Sequence, residues 1–283
     1  MKSLGPNFQK LRKEQNITLA DAAKGICSTS NLSRWENGKI QISFDNVLNL
    51  INRIHLTPNE FISNAEIDNS ENISLEMRQV INDEDTDKMK QLIEKYLDLY
   101  HQKKRFYELY LAVILCNQYL IIKNKNLLPF PDQMRLYTYL SQIKVWSTFN
   151  LSFFGNCVFM IKSDRVFSIA MQILNNQKLV LEDSTHYNLG NMMGVLSDAT
   201  LSLIFRKDLK HAKKLLVTLD QVDLPQVFSF FKMTIAFMKR IINYMKNDDE
   251  NYVLKFIQNT IDLGMNAAAD TFLDIFKRVK ELR

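Results

Sequence analysis

Seven glycines and five prolines are the only strong breakers of regular structure in 283 residues, and this scarcity constrains the fold more than any other feature. A sandwich or barrel needs turn residues roughly every ten positions, so too little turn material remains for a β-rich architecture. With 46% hydrophobic and 24% charged residues the chain carries a core and is not a disordered polymer. Its length exceeds the usual single domain, so two domains are expected. Cys27, Cys116 and Cys157 are widely spaced and flanked by apolar residues, which reads as reduced, buried thiols. Together with His55, His101, His186 and His211 they form no ligand-spaced cluster, so neither a metal site nor a cofactor is expected. No signal segment is recognised at the start of the sequence. The apolar run Leu109 to Cys116 is interrupted at Asn117 and Gln118 before it reaches bilayer length, which predicts a core helix and a cytoplasmic protein.

The stretch Ser28-Thr29-Ser30-Asn31-Leu32-Ser33-Arg34-Trp35-Glu36-Asn37-Gly38 reads as a recognition helix closed by a glycine stop. Leu32 and Trp35, three apart, turn one face inward. Phe8, Leu11 and Arg12 share a surface on a preceding helix. Thr18 caps a short second helix whose Ala22 and Ala23 allow close approach. Arg12 and Glu36 are predicted to pair between the first and third helices as a structural lock. Arg34 and Asn31 carry the side chains suited to guanine and adenine edges, and Thr29, Ser30 and Ser33 can reach bases or phosphates. Either Ser28 or Thr29 is expected to cap the helix, leaving the other for DNA. Residues 1–41 hold seven Lys or Arg against three Asp or Glu. Lys10, Lys13, Lys24 and Lys39 are therefore candidate phosphate contacts, though each is equally readable as an idle surface charge.

This pattern resembles the repressor-type (XRE or Cro/C1-like) helix-turn-helix, over about residues 3 to 64. Ser33-Arg34-Trp35-Glu36-Asn37-Gly38 looks like the Ser-Arg-aromatic-Glu-x-Gly signature of its Rgg branch. The turn Gly25-Ile26-Cys27-Ser28 is about one residue shorter than the generic repressor turn and lacks its central glycine, a shortening that the Rgg branch shares.

Two further helical stripes, Ser43 to Ile54 and Pro58 to Ile62, complete a five-helix, lambda-repressor-like domain over 1–65. An acidic stretch follows, in which Glu66, Asp68, Glu71, Glu76, Asp83, Glu84, Asp85 and Asp87 face a single Arg78. Residues 66–85 are read as a linker, a solvated surface in preference to one that docks on the basic domain. From 86 to 283 amphipathic helices alternate with short breaks. Near a 40-residue offset Asp208 falls on Asp248, Leu201 on Ile241, Ile204 on Tyr244 and Leu216 on Phe256. Helix pairs are expected near 86–122, 132–162, 164–183, 185–219 and 225–263, with Asn266 to Leu282 as a cap. The fold expected is all-α: the helix-turn-helix domain followed by a right-handed α-solenoid of degenerate tetratricopeptide-like pairs.

A helix-turn-helix joined to such repeats looks like the RRNPP group of Gram-positive regulators. The run Tyr139-Leu140-Ser141-Gln142-Ile143-Lys144-Val145-Trp146 continuing to Phe153-Phe154-Gly155-Asn156 resembles the Leu-x-x-x-x-x-Trp … Phe-x-Asn pattern of Rgg proteins. Phe149-Asn150-Leu151 replaces the family's Tyr-Glu-Leu, so no contact carries over there. The resemblance implies a transcription factor controlled by a short, apolar signalling peptide held in the repeat groove, as in quorum sensing. Asn150, Asn156, Asn188 and Asn191 could bond a peptide backbone, while Met192, Met193, Phe231 and Met238 could line apolar pockets, although most of those methionines suit a core equally well. A homodimer on a two-fold operator in double-stranded DNA is expected, because one helix-turn-helix makes few contacts. The alternative is a repeat scaffold with weak DNA binding. No catalytic constellation has credible spacing, and Glu182 and Asp183 read as solubilising acids, so no enzyme is expected.

Overall fold

A computed structural model describes residues 4–64, 75–175 and 187–282, and every regular element among them is a helix. The chain divides into two compact units, Met1–Glu76 and Met77–Arg283. Glu66, Asp68 and Glu71 of the acidic stretch, together with Glu182, Asp183 and His186, lie outside the described residues.

The first unit holds α1 (Leu4–Glu14), α2 (Leu19–Ala23), α3 (Thr29–Glu36), α4 (Phe44–Arg53) and α5 (Pro58–Asn64). Hydroxyls start three of them: Thr18 accepts from Asp21 N, Ser28 from Asn31 N and Ser43 from Asn46 N. Each satisfies a backbone donor that the first helical turn leaves unpaired, an effect of about 1 kcal/mol. α3 ends in a Schellman turn. Gly38 sits at φ 69°, its N–H donates to Trp35 O at 2.8 Å, and Lys39 N–H donates to Arg34 O at 2.8 Å.

Leu32 and Trp35 of α3 bury against Phe8, Ala22, Ala23, Leu50, Ile51, Ile54 and Phe61. The Phe8 ring lies between Trp35 and Phe61, with centroids 5.2 and 6.4 Å away. One requirement of this packing has no sequence signature. A Cβ on Gly5 would fall 1.8 Å from Trp35 O, so α1 can seat against the last turn of α3 only with glycine there.

α6 (Leu75–Asn82) crosses the division between the units. The second unit continues with α7 (Thr86–Lys103) and α8 (Phe106–Lys123), a helical hairpin whose corner residue Lys104 adopts φ 55°. α8 is long and apolar enough to cross a membrane by length and composition, and its residues Leu111 to Asn117 are buried in this unit. Then come α9 (Phe130–Ser141), α10 (Thr148–Gly155), α11 (Ser163–Asn175), α12 (Tyr187–Phe205) and α13 (Leu209–Asp220). A short 3-10 turn (Gln226–Phe228) leads into α14 (Ser229–Asn247), α15 (Glu250–Asp262) and α16 (Asn266–Glu281).

The later helices make two layers. α10, α12, α14 and α16 pack side by side in one; α9, α11 and α13 form the other, and α15 packs on α14 and α16. α12 and α14, followed by α13 and α15, are successive copies of one helix pair.

The structural period is 41 residues, one more than the spacing read from Asp208 and Asp248. Lys207 (φ 59°) and Asp248 (φ 61°) both end the first helix of a pair in the left-handed region. Asp208 and Asp249 both cap the second helix, accepting from His211 N and Tyr252 N. At this offset buried Ala212, Leu216 and Leu219 fall on buried Val253, Ile257 and Thr260. Of the pair expected over 164–183, α11 provides the first helix, and residues 176–183 lie outside the described residues.

Cys116 and Cys157 are buried free thiols. Desolvation pushes Cys116 up to about 12 and Cys157 well above its ordinary value, so both are held as inert thiols.

Candidate nucleic-acid interface and groove

Three side chains of α3 point into the first unit: Leu32, Trp35 and Glu36. The opposite face, set by a 100° step per residue, centres on Ser30, Arg34 and Asn37, all exposed. Ser33 is half-buried beside them, and Thr29 and Asn31 are exposed on the two flanks. Ser28 takes the capping role, which leaves the Thr29 hydroxyl outside the cap. Arg34 has no carboxylate within 4 Å among the described residues, so its planar donor fork is open to a partner. Asn37 was not singled out from the sequence. Its Nδ2 donates to Ser33 O at 2.7 Å, which fixes the amide at the end of the exposed face.

A buried ion pair sets the orientation of this helix. Arg12 Nε donates to Glu36 Oε1 at 2.7 Å and Nη2 to Oε2 at 2.8 Å, while Nη1 donates to Ile17 O at 2.7 Å. Gln9 Nε2 adds a bond to Glu36 Oε2 at 3.2 Å. Arg12 is 6% exposed and Glu36 2%. Hydrogen bonding to Glu36 holds the guanidinium above its ordinary pKa, outweighing desolvation, so the charge stays on Arg12. One pair therefore ties α1 to α3 and, through Ile17, to the residue preceding the Thr18 cap.

Lys10, Lys13, Lys24 and Lys39 are all exposed. Lys10 lies 3.9 Å from Glu14 Oε1, which draws part of its charge away. Among the described residues no carboxylate lies within 4 Å of Lys13, Lys24 or Lys39. Lys24 precedes Gly25 in the α2–α3 turn and Lys39 follows Gly38, so unpaired charge flanks α3 at both ends.

In the second unit, α12 is flanked by α10 and α14 and backed by α11 and α13. Only one of its faces stays open, carrying Asn188, Gly190, Asn191, Gly194, Asp198 and Leu201 at helical spacing. Asn188 Oδ1 accepts from Thr148 Oγ1 at 2.7 Å. Asn191 Nδ2 is shielded from water and has no acceptor among the described residues. Asp198 touches solvent, yet desolvation pushes its carboxyl up to about 6. A carboxylate that is wet but crowded on most sides sits on a concave wall.

The other residues named from the sequence for a groove divide by environment. Asn150 accepts from Tyr139 OH at 3.0 Å and donates to Val145 O at 3.2 Å, so its amide ties down the loop before α10. Asn156 Nδ2 donates to Ser152 O at 2.9 Å. Met192, Met193 and Met238 are fully buried and pack the core; they do not line a pocket. Their positions on α12 and α14 turn toward neighbouring helices, which residue type alone does not reveal. Phe231 is half-buried, against Phe228 and Phe230. Among the described residues no group of three or more His, Cys, Asp or Glu side chains could hold a metal.

Residues 93–273 match the family model described as "HTH-type transcriptional regulator Rgg, C-terminal domain", and residues 8–61 match "Helix-turn-helix". No curated protein matches the sequence. Solved structures share the fold along nearly the whole chain. The Streptococcus dysgalactiae SHP pheromone receptor Rgg2 superposes with a TM-score of 0.76 at 17% identity, covering 97% of this chain and 99% of that one. A protein from Listeria monocytogenes EGD-e gives 0.75 at 17% identity, over 99% and 97%. PrgX in its complex with cCF10 gives 0.72 at 14% identity, over 100% and 94%. With nearly two thirds of its length matched by that family's own model and a helix-turn-helix ahead of it, this chain belongs to the Rgg family of HTH-type transcriptional regulators.

Proposed function

We propose that the chain is a cytoplasmic, homodimeric transcription factor that holds a two-fold operator through α3 and answers to a short peptide bound along α12. One observation carries the DNA half. The outward face of α3 offers Ser30, Arg34 and Asn37 with the Arg34 fork unpaired, while Arg12 and Glu36 fix the helix from behind. In this reading Arg34 and Asn31 read base edges, Thr29, Ser30 and Ser33 add contacts to bases or phosphates, and Lys13, Lys24 and Lys39, with Lys10 beside Glu14, meet the backbone. Two copies supply the half-sites that a selective operator needs. The peptide half rests on the open α12 face and on the family. The structurally similar Rgg2 is a pheromone receptor, and the PrgX structure is a complex with cCF10. Its role is regulation by binding, with no catalytic step.

Chromatin immunoprecipitation, followed by fluorescence-anisotropy titration of the purified protein with the enriched fragments, tests this reading. Synthetic peptides encoded beside the gene are then added. A shared inverted repeat, bound tightly and shifted by one peptide, is the expected result. No enriched site would instead favour a protein-binding scaffold.

A further inference from the structure

The open face of α12 has a chemistry that specifies more than peptide binding, and the following rests on the peptide-binding reading above. Three of its features are unusual together. Gly194 lies inside a 19-residue helix, and a Cβ built on it would meet nothing within 4 Å. The protein's own packing does not require glycine there, so the bare backbone is a notch open to an occupant. One turn before it, Asn191 has an amide nitrogen without an acceptor among the described residues. A χ2 rotation turns that donor to the open face. One turn after it, Asp198 has a carboxylate with no cation within 4 Å among the described residues, on a wall where protein excludes much of the solvent.

We infer that the peptide lies extended across the Gly194 notch with a positively charged group against Asp198 and a main-chain carbonyl accepting from Asn191 Nδ2. Asn191 and Asp198 are seven residues apart, about 10 Å along the helix. An extended peptide covers that distance in about three residues. The ligand class is therefore a short peptide bearing a cation three positions from an anchored carbonyl. An N-terminal ammonium and a Lys or Arg side chain are the two sources of that charge. The low-dielectric wall strengthens such a pair relative to one in open water.

Positional-scanning octapeptide pools test the assignment on the full-length protein. Each pool fixes Lys, Glu or norleucine at one position, with the N-terminus free or acetylated, and binding is read by competition against a fluorescent pool. The wild type is expected to prefer the cationic pools by about tenfold, and Asp198→Asn to bring that preference within about twofold while apolar preferences elsewhere persist. Asp198→Lys should transfer the preference to Glu at the same position, and Asn191→Leu should weaken all pools without changing the charge preference. Loss on acetylation identifies the ammonium; dependence on Lys at one position after acetylation identifies the side chain. Circular dichroism verifies that the variants are folded. If Asp198→Asn selects the same pools as the wild type, the cation assignment is overturned while peptide binding stands. If no pool binds the wild type, both readings fall.

Discussion

Removing the charge from Glu36 should cost the first unit most of its stability. Glu36→Gln keeps the side-chain shape but leaves a buried guanidinium facing a neutral amide in place of two charge-assisted bonds of 2.7 and 2.8 Å. Breaking a buried pair from one side costs about 3–5 kcal/mol. At ~0.05–0.15 kcal/mol per residue a unit spanning Met1–Glu76 holds only about 4–11 kcal/mol in total. The protein provides its own probe. It has two tryptophans, Trp35 in the first unit and Trp146 in the second. In a Trp146→Phe background, Trp35 fluorescence follows urea unfolding of the first unit alone. With a slope of about 1 kcal/mol/M, the midpoint should fall by about 3 M or more, and a weakly stable unit would be unfolded without denaturant. Arg12→Met/Glu36→Leu, which removes both charges, should recover most of the loss. A midpoint shift under about 1 M for Glu36→Gln, or a double variant no better than the single one, would refute the buried-pair argument.

Arg34→Ala should cost about 1–3 kcal/mol of operator affinity and relax preference at one base position; equal affinity for matched and mismatched operators relative to wild type would remove Arg34 from the reading set. Lys24→Ala/Lys39→Ala should weaken binding to all sequences alike and flatten the log K against log salt slope by about 0.9 per lost contact; an unchanged slope would mean that these lysines do not meet phosphate. Asp198 titrates near 6 in the folded chain, against about 3.9 unfolded, so its destabilising effect is absent below about pH 4 and complete above about pH 6. Asp198→Asn should therefore raise Tm by roughly 1–3 °C at pH 7.5, discounted for solvent contact, and leave it unchanged at pH 3.5. An equal shift at both pH values would assign the effect to something other than the charge. Gly5→Ala should lower the Trp35-monitored stability although alanine is the better helix former by about 1 kcal/mol, because its Cβ meets backbone; a stabilised variant would show that α1 can slide off α3.

The helix-turn-helix was legible because its signals are local. Thr18, Ser28 and Ser43 announce helix starts, Gly38 announces a stop, and Leu32 with Trp35 marks the inward face. Gly5 was silent because its reason lies across the fold at Trp35 O. The repeat was visible only approximately. The corners at Lys207 and Asp248 adopt left-handed backbone without glycine, so nothing in the sequence marks which residue ends a helix and which begins the next. The α12 face was the least legible. Asn191 could be named by type, but Asp198 gains its character from five helices packed around one another, and the buried methionines show how poorly composition separates wall from core.

The stack has a mechanical consequence as well. Where each helix leans on its neighbours, rigidity is passed along the row link by link and is lost from the ends inward. α12 joins the two halves of the row, with α10 on one side and α14 on the other. The terminal helix α16 can fray at little expense to the rest, whereas loosening α12 uncouples everything before it from everything after it. Its open face is thus the place where a small occupant could stiffen the row as a whole, as a splint does at the middle of a jointed rod.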